Sequence, residues 1–371
     1  MSHSDFDVAC LTVRLGAIAE NYRICGRLSG AAVAGVVKAD GYGLGAAEVT
    51  RALVAAGCDT FFVARLEEGI KLRPEAPQAR IFVLDGARAE TAQALIDHRL
   101  TPVLNTLGDI AAWSSAARAR GGSLDAALHF DTGLNRLGLT PEELSMVSAG
   151  RTLAGLNLVL AMSHLACSDD PASAMNAQQL DRFRAGLTML PPVPASLASS
   201  GGILLGKDYA FDLVRPGIGL YGGDPRIGPR IGGANPFGVA ARLTGRIVQL
   251  RRVDKGESVG YGASFRVERP MGLATVALGY ADGLMRALGN RGKGAIAGRR
   301  VPIVGRVSMD LVTLDVSDIP EPSLVQGAEI EFLGDTISLE EIAHAAGTAN
   351  YEILTSLGKR VPRRYTNGTA S

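Results

Sequence analysis

The sequence predicts a (β/α)8 TIM-type barrel followed by a mainly-β C-terminal domain, and three observations carry that reading. Short β-type runs alternate with Ala-rich stretches of helical period from residue 31 to about 221. A segment dense in Gly and Pro, DPRIGPRIGGANPFG (224–238), then interrupts the alternation. Beyond it lie β-branched runs broken by Gly-containing turns. The chain's 371 residues exceed one ordinary core, whereas a barrel of roughly 200–250 residues holds together as a single domain. The expected division is 1–235 for the barrel and 236–371 for the β domain, with about the first ten residues able to pack with the latter.

Eight runs supply the barrel strands in order: AAVAGVV (31–37), FFVA (61–64), RIFVL (80–84), TPVLN (101–105), LDAALHF (124–130), NLVLAMS (157–163), VPASLAS (193–199) and GIGLY (217–221). Between them GAAEVTRALVAAG, RAETAQALIDHR, TLGDIAAWSSAARAR, TPEELSMVSAG and NAQQLDRFRAGLTML read as helices. TPEE and the Asp-Ile step after Gly108 read as helix N-termini. In the second domain LTGRIVQLRRV, ATVALGY, GAIAGRRVPIV, LVTLDVS and GAEIEFLG read as strands and SLEEIAHAAG as the one helix. The tail TNGTAS is expected to fray.

Composition excludes several classes of function. Apolar residues make up 47% and charged residues 20%, as in a soluble globular protein, and a net charge of +1 recruits neither nucleic acid nor an acidic membrane. No apolar stretch approaches the roughly 20 residues a membrane span needs. The start MSHSDFDVACL lacks the basic and apolar regions of a signal peptide. Cys10, Cys25, Cys58 and Cys167 are scattered, without metal-ligand spacing, which points to buried thiols in a cytoplasmic protein and to no metal site.

In a barrel, chemistry sits at the C-terminal ends of the strands. Lys38 ends the first of them, where most lysines are merely solvated. A lysine can instead form a Schiff base with an aldehyde once its surroundings lower a pKa that is ordinarily ~10.4. The glycines of KADGYGLG let the backbone approach a ligand, and Tyr42 offers a hydroxyl. Other strand ends carry His129, Asp131 and Arg136, then Ser163 and His164, then Ser199 and Ser200, and finally Arg215. Ser200 and the backbone at Gly217 and Ile218 fall beside strands seven and eight, where barrels commonly bind phosphate. A phosphate site, a Schiff-base lysine and an arginine together suggest pyridoxal phosphate (PLP). Gly217, Gly219 and Gly222 also spell GxGxxG. Pro216 precedes them and GDPRIGPR follows, so no helix opens there and a dinucleotide site is rejected.

These motifs resemble those of the PLP-dependent alanine racemases, the barrel-type family of fold type III. VVKADGYGLG, DTGLNRLG, VRPGIGLYG, VGYGASF, LGYADG, VGRVSMD and NYEILTSLGKRVPR stand in the family's order over nearly the whole chain. The resemblance implies that Lys38 holds PLP as a Schiff base and is the base on the D-face. It makes Tyr261 the base on the L-face, reaching into the site of a second subunit, so that the protein would be a homodimer. Arg215 would bond the pyridine nitrogen, supported by His164. Tyr42, Ser200, Gly217, Ile218 and Tyr351 would hold the phosphate. Arg136 would lie near the phenolic oxygen, and the Met309 N–H would receive the substrate carboxylate in a loop shaped by Asp310. Arg286 and Tyr351 would narrow the approach to the site. The product, D-alanine, would serve peptidoglycan synthesis.

The chemistry is consistent with that assignment. Racemisation needs one base on each side of a plane, and lysine and tyrosine both titrate near ~10 unless shifted. Burial lowers a lysine but disfavours a tyrosinate, so Tyr261 needs a neighbouring donor or positive charge, for which His164 and Arg215 are candidates. Four positions depart from the family pattern. His129 stands where many members carry a carbamylated lysine that orients Arg136, leaving that role to a bound anion or another acid. Ser199, Leu44 and Leu284 replace an asparagine, a histidine and an aromatic. Substrate breadth beyond alanine therefore stays open. A decarboxylase of the same barrel class would need a thiol near Ser308 and a longer chain, and a non-catalytic PLP carrier would lack the β domain.

Overall fold

The computed structural model describes residues 7–150, 153–226 and 233–368. The last three residues of the TNGTAS tail and part of the Gly/Pro segment lie outside that range. The described chain divides into two units: Ile18–Leu220 with Asp224–Phe237, and the residues up to Ala17 with Tyr221–Gly223 and those from Gly238 onward.

The chain opens with β1 (Ala9–Arg14), a strand of the second unit. The first unit begins with β2 (Ala32–Val33) and β3 (Gly35–Val36), which are consecutive. There follow β4 (Thr60–Val63), β5 (Arg80–Val83), β6 (Thr101–Leu104), β7 (Leu124–His129), β8 (Leu156–Met162), β9 (Ala195–Ser196) and β10 (Leu213–Val214). From β3 to β9 each strand lies parallel to the next in sequence order. Closure is made by β10, which pairs in parallel with β2. On its other side the Arg215 N–H donates to the Ala198 carbonyl (2.9 Å), beside a parallel bridge of Ser199 with Arg215. The barrel thus has eight staves.

One expected strand is misplaced. GIGLY forms a 3-10 turn (Ile218–Tyr221), and the eighth stave is Leu213–Val214. Pro216 has no N–H to give a ladder, so the strand stops before it. The five barrel helices expected from periodicity are present at Ala46–Ala55, Ala89–Asp97, Leu107–Arg120, Pro141–Ala149 and Ala174–Leu187. Thr106 caps one of them by accepting from the Asp109 N–H (3.0 Å), while Asp109 accepts from the Thr106 N–H (3.1 Å). That helix therefore starts two residues before the Asp-Ile step. Thr140 and Glu143 form the same reciprocal cap. Fully buried Phe62 stacks on Phe82 at 4.7 Å beneath Arg215, while the adjacent Phe61 faces the other side of the stave, near Leu53. Leu44, which stands in place of the family's histidine, is fully buried.

The second unit is built on β11 (Ala241–Val253), whose alternation breaks at a bulge between Ile247 and Gln249. Before the bulge β11 pairs antiparallel with β1; beyond it, with the strand Met271–Val276. Glu329–Leu333 pairs on the other side of β11, and the hairpin Lys293–Ile296/Arg299–Pro302 extends the sheet from there. Val312–Asp315 flanks Met271–Val276, and Arg363–Thr366 runs parallel to β1. Two helices appear, Leu339–Ala346 as expected and Asn350–Thr355 in addition.

Candidate active site

Strand β3 ends at Val36, and Lys38 opens a turn of unusual hand. Ala39, Asp40, Gly41 and Tyr42 all have positive φ, at 53°, 56°, 60° and 56°. A left-handed turn costs L-residues about 1–2 kcal/mol each, and three of these four are not glycine. Gly41, Gly43 and Gly45 take positive φ here too, at 60°, 84° and 99°, and acceptors from neighbouring residues hold the positions that are not glycine. The Glu68 carboxylate accepts from the Ala39 N–H (2.6 Å) and from Ala64 and Arg65 at the end of β4 (2.7 and 3.1 Å). Asp40 accepts from the Ala46 N–H (3.0 Å). The turn buries Tyr42 and sets its hydroxyl against Gly217, where any Cβ would overlap it.

The Lys38 amine is shifted below its usual value, first by burial and then by the charge of Arg136, against which Glu68 pulls upward. The shift favours the neutral, nucleophilic form. Arg215 is buried and spans the closing staves. Its Nη1 donates to Ser196 Oγ (2.5 Å), and its Nη2 donates to the Ser163 carbonyl (2.6 Å) and, more weakly, to His164 Nδ1 (3.4 Å). Since arginine only donates, His164 Nδ1 accepts and its proton sits on Nε2. Burial and the Arg215 charge push His164 down to about 3, so it stays neutral. Arg215 Nε has no hydrogen-bond partner among the described residues, so its N–H is available to a ligand atom.

The expected phosphate groups also converge. Ser200 Oγ accepts from the Gly217 and Gly219 N–H groups (3.0 Å each), which leaves its own proton to donate. The Ile218 N–H makes no hydrogen bond among the described residues. Lys38, Arg136 and Arg215 bring positive charge to one mouth, and Asp131 is committed to capping its own loop through the N–H groups of Gly133, Leu134 and Asn135. A phosphorylated aldehyde fits this mouth: an amine, an excess of cations, free donors and a glycine cradle. No group of three or more His, Cys, Asp or Glu among the described residues is placed to hold a metal ion.

The other expected groups belong to the second unit. Tyr261 opens a 3-10 turn held by Gly260 at φ 79° and Gly262 at φ 69°, and it is 72% exposed. Met309 is also exposed and its N–H is unpaired among the described residues. Its loop is tied down by Ala281 N–H to Met309 carbonyl (3.0 Å) and Tyr280 N–H to Ser308 carbonyl (3.0 Å). Asp310 meets Arg360 (2.6 Å), which also grips the buried Asp282 (2.6 Å). Tyr351 lies on the helix Asn350–Thr355. Arg286 sits with Arg291 and Arg306 around an open depression of about 370 Å³.

Sequence reading did not find Glu68, Asn105, Gln179 or Arg360. Gln179 is fully buried; it donates to Thr132 Oγ1 and to the His164 carbonyl (3.0 Å each) and accepts from the Ala166 N–H (2.7 Å). It thereby joins the loops after β7 and β8.

A barrel with a half-buried lysine just past its first stave, followed by a β domain, is the architecture of fold type III. Residues 13–225 match the family description "Alanine racemase, N-terminal domain" and residues 240–365 match "Alanine racemase, C-terminal domain". The alanine racemase of Rhodospirillum rubrum is 50% identical over 369 residues, covering 98% of each chain. The catabolic alanine racemase of Agrobacterium fabrum is 48% identical over 96% of this chain and 91% of its own. Among solved structures, the alanine racemase of Bartonella henselae with covalently bound pyridoxal phosphate superposes with a TM-score of 0.91. It is 37% identical over 97% of this chain and 99% of its own. The biosynthetic alanine racemase of Pseudomonas aeruginosa gives 0.89, at 37% identity over 97% and 100%. The chain belongs to the alanine racemase family.

Proposed function

We propose that the protein interconverts L- and D-alanine, using PLP held by Lys38, with Lys38 and Tyr261 as opposed bases. The observation that carries this reading is Lys38 itself, a half-buried amine at the end of the first stave, lowered first by desolvation and then by the charge of Arg136. PLP supplies the delocalisation that acidifies the α-proton. Lys38 moves that proton at its Nζ on the D-face, and Tyr261 of the partner subunit moves one at its hydroxyl on the L-face. Arg215 Nε would face the pyridine nitrogen as a donor that does not give up its own proton. His164 braces Arg215 from behind. Tyr42, Ser200, Gly217, Ile218 and Tyr351 hold the phosphate. Arg136 would lie near the phenolic oxygen, and the Met309 N–H would receive the substrate carboxylate in the loop that Asp310 and Arg360 brace.

This reading makes the enzyme a homodimer, located in the cytoplasm and supplying D-alanine for peptidoglycan. The test is an absorbance scan of purified protein followed by polarimetry with L- and D-alanine. Cofactor absorbance near the visible edge that disappears in Lys38→Ala, together with loss of rotation in wild type alone, is the expected result. Racemisation persisting in Lys38→Ala refutes the assignment.

A further inference from the structure

The position of His129, at the end of β7, bears on how Arg136 is held. Asn105, just beyond β6, donates through Nδ2 to the carbonyls of Leu84 and Val103 (2.9 Å each). Two carbonyl partners require an NH2 group there, so the amide orientation is fixed and Oδ1 is the atom that faces His129 Nδ1 at 2.7 Å. An amide oxygen only accepts, so the proton lies on Nδ1. The ring is 7% exposed, yet Nε2 has no partner among the described residues. Nor is it sealed off: the buried unpartnered side-chain polar atoms in the described structure are Thr50 Oγ1 and Asn176 Oδ1.

We propose that Asn105 is a positioning residue that fixes His129 as the Nδ1–H tautomer and so presents Nε2 as a neutral acceptor for the Arg136 guanidinium. Arg136 only donates, makes no hydrogen bond or ion pair among the described residues, and is close enough for its charge to act on Lys38, His129 and His164. The groups facing His129 are Arg215 and Arg136, which oppose a charged ring, and Asp131, which favours one. Burial adds to the two arginines and holds the ring down to about 4. His129 is thus a lone pair where a carbamylated lysine would be an anion. Arg136 is oriented without being neutralised, and its full charge stays available at the cofactor's phenolic oxygen, a role that rests on the proposed function.

The experiment is nitrogen NMR of the full-length holoenzyme labelled at the histidine rings, with His129 assigned by its loss in His129→Gln. Wild type should show a pyrrole-type Nδ1 and a pyridine-type Nε2 throughout the neutral range. In Arg136→Met the Nε2 signal should move toward that of an unbonded pyridine-type nitrogen. In Asn105→Asp the new carboxylate should raise the ring's pKa by about 1–3 pH units, and kcat/KM should fall on the acid side of that new ionisation and recover above it. A protonated Nε2 in wild type, an Nε2 signal indifferent to Arg136→Met, or an Asn105→Asp pH profile that overlays wild type each overturns the proposal. The ring signals require no turnover. A protein that failed to racemise alanine would still report the tautomer, and the wild-type spectrum decides even where a variant does not fold.

Discussion

The backbone N–H of Ala39 donates to Glu68 Oε1 at 2.6 Å, one residue beyond Lys38. The other oxygen of the same carboxylate takes the N–H groups that follow the neighbouring stave. One side chain therefore ties the first two staves together at the point where the lysine emerges. A charge-assisted bond to a backbone donor contributes about 1.5–3 kcal/mol. Glu68→Ala should lower stability by roughly 2–4 kcal/mol in denaturant titration, and Glu68→Gln, which keeps one acceptor, by less. Equal losses in the two variants would show that the carboxylate's bonds are not what holds the turn.

Under the proposed function, Tyr261 acts as the second base in the site of a neighbouring subunit. Mixing Lys38→Ala with Tyr261→Phe subunits then creates hybrid dimers in which one site has both native residues. Activity should appear in the mixture that neither parent shows alone. Tyr261→Phe by itself should slow α-proton exchange from L-alanine more than from D-alanine, measured by deuterium uptake. A silent mixture would place the tyrosine in its own subunit's site.

Acid should weaken the barrel through His129. Its folded value of about 4 lies below the ordinary 6.5. Between those values the unfolded chain binds a proton that the folded chain does not, so stability falls as pH falls through that window and levels off beneath it. The ring accounts for roughly 3 kcal/mol at the bottom of the window. Unfolding midpoints measured across this range should slope less steeply in His129→Gln.

Gln179 offers a test of the buried network. Replacing it with leucine leaves the His164 carbonyl and the Ala166 N–H without this partner and the Thr132 hydroxyl with Ser163 alone. Stability should drop by at least ~2 kcal/mol, and kcat/KM should fall with it, because the loops carrying Arg136 and His164 keep only the Thr132–Ser163 bond between them. An unchanged kcat/KM alongside the stability loss would restrict Gln179 to folding.

The barrel was legible because its periodicities are local: Ala-rich helices and apolar staves declare themselves within a dozen residues. The eighth stave was misread because two residues, Leu213 and Val214, suffice when both neighbours are already in place, and so short a run leaves little pattern. Lys38, Arg215 and Ser200 were legible as polar groups at strand ends. Glu68, Asn105 and Gln179 were not, since each acts on backbone or on another side chain far away in sequence, and an isolated Glu, Asn or Gln gives no periodic signal. The direction of the turn after Lys38 was equally hidden. Its letters, Ala and Asp, argue against the hand that Glu68 and Asp40 impose.

That turn has a mechanical consequence. Three L-residues in mirror-image geometry hold about 3–6 kcal/mol of local opposition, a sizeable part of the 5–15 kcal/mol that typically separates a folded domain from its unfolded chain. The segment bearing the nucleophile is therefore wound like a spring against the helix Ala46–Ala55. When its anchors let go it unwinds on its own, so the amides of Ala39 to Gly43 should exchange with deuterium ahead of the staves on either side.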